Sequence, residues 1–150
     1  MIETKYSLTY VASYDDDHCW QIREFSYDHY EQIKQMKRCV QGLFNSADWV
    51  NPELSQKGYS IFTNSDYCCL NLRPAFMTER NGKQILVEGN VLFLKNNNGK
   101  PAGLSVEDLT AIINSYYPEL KNVELICCPK TLKEELALNK NIIETDKDRI

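Results

Sequence analysis

"NVLFLKNNNGKPAGLSVEDLTAIINSYYPELKNVELICC" spans residues 90–128, and its reading decides the fold class. The first six residues are a short apolar run of strand length. Residues 96–103 are rich in Asn and Gly and read as a turn. Ser105 then offers a helix cap, with Asp108 at the capping-box position. Val106, Leu109, Ile112 and Tyr116 form one apolar stripe, and Pro118 ends it. A second strand follows at 122–128. Strand, helix (105–117) and strand have the lengths of a β-α-β unit, so the two strands are expected to run parallel with a right-handed crossover.

Upstream, "TKYSLTYVASY" alternates, with Tyr6, Leu8, Tyr10 and Ala12 on one face and Lys5, Ser7 and Thr9 on the other. That pattern is a half-buried strand, turned back by "YDDDH" into "CWQIREF". Ser26 is the expected cap of a helix over 27–44, with Asp28 and Glu31 in its first turn and a stripe of Ile33, Met36, Val40 and Leu43. Residues 45–58 read as a loop. "YSIFT" and "YCCLNL" are expected strands. "AFMTER" and "KQILVE" flank Asn81-Gly82, a strong signal for a two-residue hairpin because both turn residues accept positive φ. "KTLKEELALNK" suggests a short final helix, and 139–150 a polar tail. The fold class expected is one α+β domain over 1–150. It should hold a mixed, mostly antiparallel sheet of about six or seven strands, two main helices and the C-terminal β-α-β unit.

Bulk composition narrows the function classes. With 43% apolar and 25% charged residues, the chain is able to build a core rather than remain disordered. Seventeen basic and twenty-one acidic residues give a net charge of −4, with no clustered basic face to favour nucleic acid. No apolar stretch approaches the ~20 residues of a membrane span, and "MIETKYSLTY" lacks the pattern of a secretory signal. The expected location is therefore cytoplasmic, where thiols stay reduced. Adjacent cysteines also make a poor disulfide framework, since neighbouring strand side chains point to opposite faces. Two such pairs occur, Cys68-Cys69 and Cys127-Cys128.

The strand-end pair, Cys127 and Cys128, is the chain's alternative catalytic candidate. Reactive groups of parallel α/β units gather beyond the carboxyl ends of the strands. "AGLSVEDLTAIINSYYPELKNVELICCP" resembles a stretch of the caspase-like bacterial cysteine peptidases, in which a helix of this kind leads into a strand ending at the nucleophile. The resemblance covers about 28 residues and implies Cys127 or Cys128 as the nucleophile. Those peptidases also carry a His-Gly pair at the end of the preceding strand, where this chain reads "VEGNVLFLK". A thiol with no base or cation beside it stays protonated near its ordinary pKa of about 8.5. Packing is the plainer role for both cysteines.

"YDDDHCW" gathers three carboxylates, an imidazole and a thiol, but lacks calcium-loop glycine spacing and zinc Cys-x-x-Cys pairing, so no metal is expected. His18 and Cys19 are adjacent and point apart, while His29 near a helix start suits capping. No cofactor motif is present. The acidic tip Asp15, Asp16 and Asp17 is suited to steering a basic partner, and Tyr14, Tyr27, Tyr30 and Trp49 are candidate interface aromatics. The function expected is thus a small acidic protein-binding module that occludes or inhibits another macromolecule, as immunity proteins or phage inhibitors do. A cysteine-dependent hydrolase, or an inactive relative of one, is the first alternative. An oligomeric structural subunit is the second.

Overall fold

A computed structural model describes residues 3–12, 18–66, 72–116, 120, 123–129, 131–136 and 143–146. In chain order its elements are β1 (Tyr6–Val11), β2 (Cys19–Glu24), α1 (His29–Val40), β3 (Phe44–Ser46), a 3-10 turn (Asp48–Val50), α2 (Pro52–Gln56), β4 (Tyr59–Asn64), β5 (Pro74–Arg80), β6 (Lys83–Glu88), β7 (Val91–Asn97), β8 (Lys100–Ala102), α3 (Val106–Tyr116), β9 (Val123–Leu125), α4 (Leu132–Glu135) and β10 (Ile143–Asp146). The main sheet runs β10-β9-β2-β1-β7-β4-β3, with β8 paired to the far end of β7, and β5-β6 form a separate hairpin. The α+β class expected from the sequence is the one observed.

The β-α-β unit needs one correction. β1 is antiparallel to both β2 and β7, and β9 is parallel to β2, so β7 and β9 do run the same way. They are not neighbours, because β1 and β2 lie between them. The N-terminal hairpin therefore occupies the centre of the sheet, and the α3 crossover spans it.

Both faces of the centre are covered. Tyr6, Leu8, Tyr10, Trp20, Ile22 and Phe93 point into the larger core, which α3 closes with Leu109, Ile112 and Ile113. Trp20 is fully buried, its ring centroid 5.0 Å from that of Tyr10 and 5.5 Å from those of Phe93 and Tyr116, and its Nε1–H donates to the Leu120 carbonyl at 2.9 Å. Each fully buried apolar side chain of this size contributes roughly 1.5–3 kcal/mol. On the opposite face α1 packs Met36 and Val40 against Phe25, Phe62, Leu92 and Leu94. The alternation of β7 feeds both layers, Val91 and Phe93 to one and Leu92 and Leu94 to the other.

Capping decides the helix ends. Ser105 and Asp108 form the reciprocal box read from the sequence: Asp108 N–H donates to Ser105 Oγ at 3.1 Å, and Ser105 N–H to Asp108 Oδ2 at 3.0 Å. Asp108 also accepts from Tyr59 Oη at 2.8 Å and pairs with Lys95 at 3.3 Å, which ties α3 to β4 and β7. α1 is shorter than the expected 27–44, and its cap is Asp28, not Ser26. Asp28 Oδ2 accepts from Glu31 N–H at 3.1 Å, while Ser26 Oγ accepts from Asp28 N–H. Gln41 turns left-handed (φ 64°) and stops the helix, leaving Leu43 outside it and exposed.

Three further segments differ from expectation. Residues 45–58 are not a bare loop: Asn51 Oδ1 caps α2 by accepting from Leu54 N–H, with Pro52 at the first helical position. The strand 122–128 ends early, at Leu125, because Cys127 adopts a left-handed φ of 51°. The polar tail contributes β10, which pairs parallel with β9 through its backbone. Residues 67–71 lie outside the described residues, and with them Cys68, Cys69 and most of the expected strand "YCCLNL". No described helix is long and apolar enough to cross a membrane.

Asn81 (φ 55°) and Gly82 (φ 77°) both sit at positive φ, as the two-residue hairpin turn requires. A Cβ at Gly82 meets no atom within 4 Å, so the penalty for adding one is conformational rather than steric. Gly82→Val is therefore expected to destabilise the protein by about 1 kcal/mol or more through backbone strain alone. The check is the urea midpoint at constant slope, and an unchanged midpoint would rule out the turn.

Candidate binding cleft

β1 carries two hydroxyls on the face that alternation turns away from the aromatic core, Ser7 and Thr9. Both are 3% exposed, because α1 lies over that face. Two layers packed across polar side chains do not close completely. Between α1 and the β1-β2 hairpin they leave a cleft of about 230 Å³. Ser7, Thr9 and Val11 line it from β1, Gln21, Arg23 and Glu24 from β2, and Gln35, Arg38 and Cys39 from α1, with Asn90 and Cys127 at its ends.

The hydrogen bonds of the cleft's side chains engage acceptors and donors alike. Asn90 Oδ1 accepts from Ala12 N–H at 3.1 Å, and its amide donates to the Cys39 carbonyl at 2.9 Å, which stitches β1 to α1. Gln35 Oε1 accepts from Ser26 N–H at 3.0 Å. Gln21 donates to Glu124 Oε2 at 3.1 Å. Thr9 Oγ1 is the exception: buried, and without a hydrogen bond. The Cys39 thiol is pushed up from its ordinary pKa, mainly by burial. The hydroxyls of Thr9 and Ser7 and the guanidiniums of Arg23 and Arg38 oppose that rise without cancelling it. The hydroxyl of Thr9 thus lies beside the thiol, near enough to lower its pKa but outside hydrogen-bond geometry.

The candidate residues read from the sequence do not converge. Tyr14, Asp15, Asp16 and Asp17 lie outside the described residues. Their anchors, Ala12 and His18, sit at one end of β1 and β2. Tyr27 and Tyr30 follow the other end of β2, a strand length or roughly 20 Å away. Both tyrosines are exposed, at 58% and 67%. Trp49 is half-buried against the larger core, on the opposite side of the sheet from α1, with the Arg80 guanidinium 5.6 Å from its ring centroid. The remaining described tyrosines are structural: Tyr6, Tyr10 and Tyr59 are buried, and Tyr116 packs against the core. His18 stacks on Tyr10 at 5.8 Å.

The two cysteines do divide, one inward and one outward, but not by alternation: continued past the buried Val123 and Leu125 it would bury Cys127, whereas the strand ends at Leu125 and the left-handed turn at Cys127 sends Cys128 inward. Cys128 packs against the larger core, and its thiol donates to the Ile22 carbonyl at 3.0 Å and to that of Ile126 at 3.2 Å. Cys127 is exposed and reaches the rim of the cleft, whose lining includes Glu24 and two arginines but no histidine. Among the described residues, no three His, Cys, Asp or Glu side chains are placed to share a metal ion. The chain matches no protein-family model, no curated protein and no solved structure.

Thr9, Arg23, Arg38 and Cys39 were not legible as a group in the sequence. The available signal was the helix stripe: Cys39 follows Met36 by three residues and so shares the face that α1 turns to the sheet.

Burial and thiol acidity set an order of reactivity. Among the described cysteines, Cys127 is expected to alkylate first with iodoacetamide near neutral pH in the native protein. Cys39 should lag at least tenfold, since only thiolate reacts and burial suppresses it. Peptide mass spectrometry on a time course gives the order, and labelling of Cys39 as fast as Cys127 would contradict the packing of α1.

Proposed function

We propose that this chain is a protein-binding module that occludes a partner bearing a basic surface, and that the start of α1 is its contact patch. The observation that carries this reading is the exposure of Tyr27 and Tyr30 among carboxylates. Glu24, Asp28 and Glu31 are exposed beside them, and Glu3 lies close enough for its carbonyl to accept from Tyr27 Oη. Exposed tyrosines supply a large contact area with few rotamers to freeze. The Lys34 ammonium already lies 4.6 Å from the Tyr30 ring centroid, which supports recognition of a partner's lysine or arginine on the same ring. The carboxylates supply the attraction at longer range, and Asp15, Asp16 and Asp17 add charge of the same sign.

Immobilised wild-type protein is expected to retain a basic protein from its native host, released as salt is raised. Tyr27→Ala with Tyr30→Ala should weaken that retention at least tenfold, as loss of central interface tyrosines does. Met77→Ala, on the exposed face of the β5-β6 hairpin, should leave retention unchanged. Equal retention by the wild type and the double tyrosine variant would refute the patch.

A further inference from the structure

The geometry points to the cleft between α1 and the β1-β2 hairpin as a binding site for a small oxyanion, a molecule presenting a carboxylate or phosphoryl group to Arg23, Arg38 and Thr9. The argument rests on which hydrogen-bonding capacity remains there. The acceptors Asn90 Oδ1 and Gln35 Oε1 are engaged by backbone N–H groups. Donors are left over: two guanidiniums, the remaining amide hydrogens of Gln35 and the hydroxyl of Thr9. Neither Arg23 nor Arg38 forms an ion pair among the described residues. Glu24, the one carboxylate lining the cleft, is exposed and pairs with neither of them.

A cleft lined by two guanidiniums without ion pairs, against the single carboxylate of Glu24, carries net positive charge and is complementary to an acceptor-rich anion. A guanidinium presents a planar fork that suits carboxylate and phosphoryl oxygens alike. Thr9 strengthens the case independently. A hydroxyl that is 3% exposed and makes no hydrogen bond is held out of water without compensation, a deficit that an incoming acceptor would relieve. Cys39 stays a neutral thiol and adds no opposing charge. The volume, about 230 Å³, lies below the ~300 Å³ at which drug-sized pockets begin, and equals about eight waters. The ligand is therefore a small metabolite or a single anionic group. This site is independent of the proposed partner patch, and each stands or falls without the other.

Titration of isotope-labelled protein with succinate and, separately, with inorganic phosphate tests the site, read by the amide shifts of Thr9, Arg23 and Arg38. At least one probe is expected to saturate these shifts with a Kd of about 1 mM or tighter. Which probe does so distinguishes a carboxylate ligand from a phosphorylated one. Arg23→Gln and Arg38→Gln should each weaken binding at least tenfold, whereas Lys100→Gln, an exposed cation on β8, should not. Thr9→Val should weaken binding at least threefold while leaving the denaturation midpoint unchanged or higher, since it removes an unsatisfied polar group. The inference is overturned if neither anion saturates, if the Lys100 variant loses as much as the arginine variants, or if Thr9→Val destabilises the fold with no effect on binding.

Discussion

A strand with water on neither side must bury every side chain that alternates along it, and β1 is such a strand. It lies between β2 and β7, hydrogen-bonded to both. Its Tyr6, Leu8 and Tyr10 anchor the aromatic core. Its Ser7 and Thr9 are taken out of water just as completely, beneath α1. Burial of an apolar face stabilises the fold, whereas burial of a polar face does so only if partners are found. Asn90 meets that requirement on one side by bonding Ala12 and the Cys39 carbonyl together. Thr9 does not meet it. The cleft, the raised Cys39 thiol and the uncommitted arginines all follow from packing a helix over the polar side of a central strand.

The same centre organises the remaining elements. With the N-terminal hairpin in the middle, the sheet grows outward in two directions, through β7, β4 and β3 on one side and through β9 and β10 on the other. Close approach of the chain between β8 and α3 to β1 depends on Gly103, where a side chain would come within 2.3 Å of the Lys5 Cβ. That contact lets Tyr6 and Leu104 exchange backbone hydrogen bonds at 2.9 and 2.7 Å, which seats the start of α3 against the sheet. The β5-β6 hairpin lies outside this scheme. It covers the larger core with Phe76 and Val87 and leaves Met77 and Leu86 exposed on its outer side.

Much of this was legible in the sequence where local chemistry decides local structure. The Ser105–Asp108 box, the Asn81-Gly82 turn and the alternation of β1 each name a conformation without reference to the rest of the chain. Strand order could not be read in the same way. The lengths of strand, helix and strand predict that β7 and β9 are parallel, but not that two strands from the N-terminus lie between them. The second face of β1 was read as solvated because Ser and Thr look the same facing water or beneath a helix. Only the narrow stripe of Met36, Cys39 and Val40, which needs a sheet face to cover it, hinted otherwise. β10 was missed because its pairing with β9 is made by backbone groups, which a polar sequence conceals.

Burial of β1 on both faces is the claim on which the cleft and its chemistry depend, and native-state hydrogen exchange measures it directly. The amides of Leu8, Thr9 and Tyr10 are expected to exchange only through global unfolding, so their opening free energies should equal the stability from denaturant titration. Those of Thr78 and Ile85 in the two-stranded β5-β6 hairpin should open at lower free energy. If the β1 amides exchange as readily as those of the hairpin, β1 is not the buried centre of the sheet.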